Sequence, residues 1–166
     1  MTTGVTNAYD VLRDHHNVLR DLGNRFKELP AGSAARQRVL DELLVEFDIH
    51  MRIEDDLYYP AMAAASRLIA IAHAEHRQIY DALAVALRTP ATAPQYEAEW
   101  EFFLTVLEAH ADEEERDLIP PPAPVKLTEA QLEDLGAAMS ARMAKLRNST
   151  WERLRVRARA ALLRVL

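Results

Sequence analysis

Two copies of one short pattern constrain this chain more than any other feature of its sequence. The first copy, His50–Glu54, reads H-x-x-x-E and is followed by acidic residues and Pro60. The second copy, His110–Glu114, reads the same way and is followed by more acidic residues and Pro120. Residues four apart share one face of an α-helix, so each copy directs an imidazole and a carboxylate to the same side. The repeated pattern predicts the two halves of a metal site.

Spacing and composition predict an all-α protein. The 166-residue chain has only four glycines, its apolar residues recur at helical spacing, and strict two-residue alternation is missing. A capping box at Thr128–Gln131 indicates a helix after the proline-rich stretch that follows Pro120. The predicted helices are Ala8 to Glu28, Ala34 to Ser66 with a bend at Pro60, Arg67 to Leu87, Gln95 to Asp117, Thr128 to Arg147, and a helical tail from Trp151 to Leu166.

The histidines repeat along with the helices. His15 lies in the middle of the apolar stripe of the first helix, whereas His16 is expected at its edge. His76 occupies the matching place on the third helix, 61 residues after His15, and His110 follows His50 by 60. A duplicated helical hairpin predicts an up-down four-helix bundle over residues 1–120. Residues 121–166 are then a proline-rich connector and a C-terminal helical extension that packs on the bundle.

Four imidazoles and two carboxylates on inward helix faces need partners. Burying them unpaired would cost several kcal/mol, more than a small domain can spare. A metal would supply the partner, and histidine–glutamate hydrogen bonds inside the bundle are the alternative. Without cysteine, thiolate zinc and iron–sulfur clusters are excluded, and carboxylates with imidazoles suit non-haem iron or manganese. The E-x-x-H pattern of ferritin-like sites is absent.

The arrangement resembles the hemerythrin-like (HHE) domains over about residues 8–120. Segments 7–12 and 53–60 and the helical tail look particularly like the mycobacterial members. The resemblance implies two non-haem iron ions with an oxo or hydroxo bridge, and chemistry with oxygen or peroxide. His73–His76 departs from the family's H-x-x-x-H on the third helix, which leaves His73 open as a further ligand. The ligands that the resemblance implies are His15, His50, Glu54, His76, His110 and Glu114.

Two tyrosines next to the first copy of the pattern bear on function. Tyr58 and Tyr59 are candidate iron ligands, and they are also candidates for tuning the metal or donating protons, while a role as core aromatics is the alternative. The bend at Pro60 favours Tyr59. A phenolate ligand would block the position that an oxygen carrier needs, so we predict a catalase-like protein that disproportionates hydrogen peroxide. The alternative is a protein that binds or senses oxygen, nitric oxide or iron without turnover.

Charge and hydropathy limit the partners. A net charge of −6 disfavours nucleic acid, and no apolar run is long enough for a signal peptide or membrane span, so we expect a cytoplasmic monomer or weak dimer. The tail carries five arginines beside an apolar stripe. This stripe could bind a membrane surface, but we expect it to pack on the acidic bundle. Its residues are Leu154, Ala158, Ala161, Leu162 and Val165.

Overall fold

Residues 6–165 are described by the computed structural model, and this part of the chain is helical with no β-strand. The first four helices form an up-down bundle, which confirms the predicted fold. The six main helices are α1 (Ala8–Glu28), α2 (Ala34–Ile53), α3 (Ser66–Arg88), α4 (Tyr96–Asp117), α5 (Glu129–Asn148) and α6 (Thr150–Leu163). Helix α5 packs on α1 and α2, and α6 packs on α2 and α3. None of the described helices combines the length and apolar character that crossing a bilayer requires.

Side-chain caps determine where several helices begin. The side chain of Asn7 accepts hydrogen bonds from the N–H groups of Tyr9 and Asp10, and Asp10 completes a capping box at the start of α1. The capping box predicted between Thr128 and Gln131 is present at the start of α5. These caps satisfy N–H groups that have no partner inside the helix, and so they stabilise the first turns of α1 and α5.

The second helix ends earlier than the sequence predicts. Instead of one bent helix to Ser66, α2 gives way to a π-helical turn at Glu54–Tyr58, a short α-helical turn at Tyr59–Ala61 and a 3₁₀ turn at Ala63–Ala65. The N–H of Tyr59 donates to the carbonyl of Glu54, five residues back, which is the π-helical pattern. Pro60 has no N–H to continue the α-helical ladder. The π turn therefore brings Tyr59 above Glu54, one wider turn along the chain.

Two apolar clusters fill the bundle, and the polar cluster lies between them. On α1, Leu12 belongs to one apolar cluster and Leu19 to the other, with His15 and His16 between them in the sequence. The C-terminal helices complete both clusters, because α5 contributes Met139, Met143 and Leu146 to the first, and α6 contributes Val156 and Ala160 to the second. The division of the chain at residue 120 stays a prediction.

Helix α6 contacts the bundle through the face opposite to the predicted one. Val156 and Ala160 are buried, and the side chain of Arg155 pairs with Asp48 on α2. The stripe that was expected to pack on the bundle is instead exposed, as Leu154 and Leu162 illustrate with 58% and 56% of their surface accessible. Ion pairs accompany this orientation, because Arg155 and Arg159, which flank Val156 and Ala160, both lie within 4.0 Å of Asp48 on α2.

The contact between α5 and α1 depends on the absence of a side chain at Gly136. A Cβ atom there would lie 2.6 Å from the backbone carbon of Asn7 and 2.8 Å from the backbone nitrogen of Ala8. We expect Gly136→Ala to lower the free energy of unfolding by about 1–3 kcal/mol through overpacking. Thermal denaturation measures this change. Gly23→Ala is the control, since its Cβ would meet only the movable side chain of Leu104 at 3.1 Å. Equal effects of the two substitutions would contradict this prediction.

Candidate metal centre

The polar cluster lies where all four bundle helices meet at one level. Helix α1 contributes His16, and His50 and Glu54 come from the end of α2 and the π turn. Helix α3 contributes His76, and α4 contributes His110 and Glu114. Each of these six residues has at most 4% of its surface exposed. Their potential ligand atoms form two groups that share Glu54.

Glu54 lies between the two groups with one oxygen directed to each. Its Oε1 is 2.9 Å from Nε2 of His50 and 3.9 Å from Nε2 of His16. Its Oε2 is 3.1 Å from Nε2 of His76 and 3.8 Å from Nε2 of His110. A carboxylate in this position can bridge two cations that lie on opposite sides of it.

Several buried atoms at the centre of the cluster have no hydrogen-bond partner among the described residues. They are Nε2 of His16, Nε2 of His50, Oε1 of Glu54 and both side-chain oxygens of Glu114. Glu54 Oε1 and His50 Nε2 are 2.9 Å apart, and Glu114 Oε2 and His16 Nε2 are 3.3 Å apart, but neither pair has the alignment of a hydrogen bond. Unpaired buried lone pairs that converge are costly, and a cation between them removes the cost. The donor set thus fits a bound metal better than the alternative of simple histidine–glutamate hydrogen bonds.

A second layer of carboxylates orients the imidazoles. Glu115 accepts a hydrogen bond from Nδ1 of His16 at 2.8 Å, and Glu75 accepts one from Nδ1 of His110 at 2.7 Å. A carboxylate can only accept, so the proton is on Nδ1 and the Nε2 lone pair faces the cluster, an arrangement typical of metal-binding histidines. Glu75 and Glu115 were not predicted from the sequence. Both are mostly buried, and only their proximity to the histidines of the motifs could have indicated their role.

Helix α1 contributes a different histidine from the one predicted. His15 is buried, but its Nε2 is bonded to Oε2 of Glu46 at 2.9 Å, outside both groups of ligand atoms. Arg147 on α5 holds the same Glu46 carboxylate through two hydrogen bonds of 2.8 and 2.7 Å. His16, which we expected at the edge of the stripe, is fully buried and faces Glu114. His15 is covered where α5 places Arg147 on Glu46, whereas His16 is covered by Glu114 and Glu115 of α4 and by His50 of α2.

The two tyrosines have different surroundings. The hydroxyl of Tyr59 lies 3.4 Å from Oε2 of Glu54 and 3.3 Å from Nε2 of His76, at the edge of the cluster. The hydroxyl of Tyr58 donates to the carbonyl oxygen of Leu118 at 2.6 Å and is thus directed away from the cluster. The structure therefore separates the two candidates that the sequence left together.

His73 lies on the outer side of the cluster. Its Nδ1 is 3.4 Å from Oδ1 of Asp55, and 45% of its side chain is exposed. The same oxygen of Asp55 is 3.5 Å from Nδ1 of His76. His73, Asp55 and His76 form a third, more open group of possible ligands. His73 is therefore separated from Glu54 and His110 by the ring of His76.

Burial and mutual charge shift the pKa values of the cluster in opposite directions. Burial alone would lower the pKa of His16, but the nearby carboxylates of Glu114 and Glu54 raise it to about 9. Burial likewise opposes charge on His110, but Glu54 and Glu75 raise its pKa to about 10. Burial lowers the pKa of His50 to about 3, against the attraction of Glu54. Without metal, the cluster thus holds extra protons on some imidazoles.

The pKa values of the carboxylates and of the phenol in the cluster are also shifted from their ordinary values. Burial raises the pKa of Glu114 to about 7, and the negative charge of Glu54 adds to this effect. The pKa of Glu54 is lowered, because the surrounding imidazoles outweigh its own burial. Burial and the charge of Glu54 raise the pKa of Tyr59, so its hydroxyl carries a proton at neutral pH. Tyr59 is thus a neutral donor beside an ionised acceptor.

A narrow groove between α1 and α4 leads from the surface to this cluster. His16 and His50 form its floor, and its cavity of about 40 Å³ has room for only a few water-sized molecules. Arg20 and Lys27 lie at its polar mouth. The apolar walls consist of Leu19, Leu104, Leu107 and Ala111. His16 and His50 are themselves fully buried beneath this groove, so a small molecule that enters it comes close to one side of the cluster without touching the histidines.

Comparison with known proteins agrees with the geometry. The model of the hemerythrin HHE cation-binding domain matches residues 7–121. Two uncharacterized proteins, Rv2633c of Mycobacterium tuberculosis and Mb2666c of Mycobacterium bovis, are each 56% identical over 160 residues, covering 96% of this chain and 99% of the relative.

The crystal structure of an HHE cation-binding domain protein from Mycobacterium kansasii, described as an Rv2633c homolog, is also similar. It is 59% identical with a TM-score of 0.88, and the match covers 96% of this chain and 99% of that one. The likeness thus extends beyond the bundle to the C-terminal helices. With its buried histidine and glutamate cluster, the chain belongs to the family of hemerythrin HHE cation-binding domains.

Proposed function

We propose that the cluster holds two iron ions and that the protein consumes hydrogen peroxide. The observation that carries this proposal is the position of Glu54, with one buried oxygen toward His16 and His50 and the other toward His76 and His110. One cation would satisfy only one side of this carboxylate. Two cations would also neutralise Glu114, whose oxygens otherwise lack partners among the described residues.

The type of ligand supports iron. The cluster offers imidazole nitrogens and carboxylate oxygens but no thiolate, a donor set that suits non-haem iron or manganese better than tetrahedral zinc. His16, His50 and Glu114 would hold the first ion, and His76 and His110 the second, with Glu54 between them. The second group has fewer protein donors. Tyr59 lies next to this group, where its oxygen is in place to act as a further ligand or to meet a substrate.

The chemistry of peroxide follows from the metal pair and from Tyr59. Two bound iron ions would supply the exchange of two electrons by which one peroxide molecule is reduced to water and a second is oxidised to dioxygen. The protein residues supply orientation and protons. The protonated Tyr59 hydroxyl, between Glu54 and His76, is a neutral proton donor at the edge of the cluster. The groove above His16 and His50 has a cavity of about 40 Å³, a size that suits a molecule as small as peroxide.

The main alternative is binding or sensing of oxygen, nitric oxide or iron without turnover. The groove would admit dioxygen and nitric oxide as readily as peroxide. A sensor, however, needs an element that transmits the signal, and both C-terminal helices pack against the bundle. Arg147 of α5 holds Glu46, and Arg155 of α6 pairs with Asp48. The packed extension therefore favours catalysis over signalling through a free arm.

The two adjacent histidines of α1 provide a test of the ligand set. We expect His16→Ala to retain at most one iron per chain, because His16 faces Glu114 and Glu54. We expect His15→Ala to retain both iron ions and to lose only stability, because His15 is bonded to Glu46. Metal analysis after expression with ample iron measures the difference. Iron lost from His15→Ala and kept by His16→Ala would reverse the assignment.

The two tyrosines provide a test of activity. Iron-loaded protein should evolve oxygen when hydrogen peroxide is added, and Tyr59→Phe should slow this reaction on the order of a hundredfold, as expected for loss of a proton donor. If Tyr59 also binds ferric iron, the same substitution removes a visible charge-transfer band. Tyr58→Phe is the control. It should keep the activity and lose about 1–3 kcal/mol of stability, because the buried carbonyl of Leu118 loses its donor.

Failure of the iron-loaded wild-type protein to evolve oxygen would refute the peroxide function while leaving the metal site intact. In that case, binding of nitric oxide or dioxygen, followed by visible spectroscopy, becomes the direct test of the alternative. Unchanged activity of Tyr59→Phe, with oxygen evolution by the wild type, would remove only the role of Tyr59.

The pKa shifts predict how metal changes the pH dependence of stability. In the metal-free protein, the pKa values of His16 and His76 are raised to about 9 and that of His110 to about 10 by neighbouring carboxylates, against the effect of burial. The stability they contribute is complete below about pH 6.5 and is lost as pH rises through these values. In the loaded protein the imidazoles bind metal without a proton, so this loss should not occur.

We therefore expect the melting temperature of the metal-free protein to fall between about pH 7 and pH 10, while that of the loaded protein changes little there. Acid should instead destabilise the loaded protein, because its ligands then bind protons and release the metal. Scanning calorimetry of both forms over this range measures the difference. Parallel profiles of the two forms would contradict the prediction.

A further inference from the structure

Helix α6 has a second apolar face, which no other part of the described chain covers. The exposed fractions are 69% for Trp151, 58% for Leu154, 56% for Leu162 and 79% for Val165. At about 100° per residue, these four side chains fall within an arc of about 80°. That arc lies opposite to the helix face that Val156 buries against the bundle. The helix therefore has two apolar faces, one buried against the bundle and one exposed to solvent.

Arginines flank the outward stripe on both sides. The flank next to Asp48 is partly neutralised by its ion pairs with this carboxylate. On the other flank, no arginine of α6 has an acidic partner within 4.0 Å among the described residues. The neutralised flank consists of Arg155 and Arg159. The other flank, called the free flank because it has no acidic partner, consists of Arg153, Arg157 and Arg164, and Nε of Arg153 donates to the carbonyl oxygen of Arg147 at 3.1 Å.

The charge of this helix is opposite to that of the remaining chain. Residues 151–166 contain five arginines and one glutamate, a net charge of +4, so the other 150 residues carry −10 of the total of −6. Asp41 and Glu42 line the groove between α2 and α6 beside Arg153 and Arg157. They lie on the bundle side of the helix. The surface around the outward stripe is therefore cationic.

We propose that α6 docks its outward stripe on an anionic lipid surface. The apolar side chains would enter the boundary between headgroups and acyl chains, as in interfacial helices. Long arginine side chains on both flanks can extend to lipid phosphates while their stems cover apolar surface. Trp151 is an aromatic residue of the kind that is enriched at such interfaces. The contact is peripheral and lies on the outside of the bundle.

A second copy of the chain fits the same stripe less well. Stripe-to-stripe packing of two α6 helices brings arginine flanks against arginine flanks whether the helices run parallel or antiparallel, because both flanks are basic. Like charges at such an interface oppose association. An anionic bilayer faces both flanks with the opposite charge, so charge complementarity selects the lipid surface.

Full-length protein with vesicles provides the test. We expect co-sedimentation with vesicles of phosphatidylcholine and phosphatidylglycerol but not with phosphatidylcholine alone. The fluorescence of Trp151 should shift to the blue, while Trp100, which is 2% exposed, gives a constant background. Binding should weaken with added salt. Neither readout depends on iron or peroxide, so the result is independent of the proposed function.

Three variants identify the surface responsible. The double variant Leu154→Ser and Leu162→Ser should lose vesicle binding. Replacing Arg153, Arg157 and Arg164 by glutamine should weaken it roughly a hundredfold, about fivefold for each charge. Phe102→Ser is the control on α4, since Phe102 is 51% exposed and apolar but has no part in the stripe. Its binding should equal that of the wild type.

Three outcomes would overturn the proposal. The first is no binding to the anionic vesicles, and the second is equal binding to both kinds of vesicle. The third is a concentration-dependent dimer in sedimentation velocity that the double leucine variant abolishes, which would assign the stripe to a second copy of the chain. Unchanged melting temperatures of the variants confirm that the fold is intact.

Discussion

The carboxylate of Glu54 is fully buried and faces imidazoles on both of its sides. A buried charge of this kind is tolerated only with close partners of opposite charge. In the metal-free protein, protons on the imidazoles fill this role and keep the pKa of Glu54 low. Cations can replace those protons. The rest of the structure, from the π turn to the outer carboxylates, keeps these groups together in the interior at the level where the four helices meet.

The π turn places Tyr59, the candidate proton donor, beside the cluster of histidines and glutamates. Were α2 to continue as a regular α-helix, the residue at i+5 from Glu54 would turn away from Glu54's side of the helix. With the extra residue in the turn, the N–H of Tyr59 bonds to the Glu54 carbonyl, and the Tyr59 hydroxyl lies beside the Glu54 carboxylate. The hydrogen-bond pattern of one helical turn thereby separates Tyr59 from Tyr58, which bonds to Leu118.

The C-terminal helices have two roles that a plain four-helix bundle does not explain. Helix α5 supplies Arg147, which fixes Glu46 and through it His15. This network withdraws His15 from the cluster and leaves the place on α1 to His16. Helix α6 is held to α2 through Asp48, with its apolar stripe and free arginines outward. Helix α5 thus supports the cluster of histidines and glutamates, and α6 carries the stripe that we propose docks on a lipid surface.

Much of the fold and part of the site follow from sequence alone. Helical spacing and the repeated H-x-x-x-E determine four helices with inward histidines, because a side chain's face depends only on its position in the helical repeat. On this basis His50, Glu54, His76, His110 and Glu114 were predicted, and the structure brings them together. Their identity as ligands stays a proposal. The predicted ends of the helices were also close to the observed ones, apart from the turns after Ile53.

Tertiary structure alone decided the remaining features. His15 and His16 are both near the apolar stripe of α1, and only contacts with distant residues distinguish them: Glu46 and Arg147 engage His15, whereas Glu114 and Glu115 engage His16. The buried face of α6 likewise packs on residues that are distant in sequence, with Asp48 of α2 beside it. Glu75 and Glu115 orient imidazoles on other helices, so no local pattern identifies them. Periodicity shows which side of one helix is apolar. It does not show which neighbour covers that side, because this depends on contacts between residues far apart in the chain.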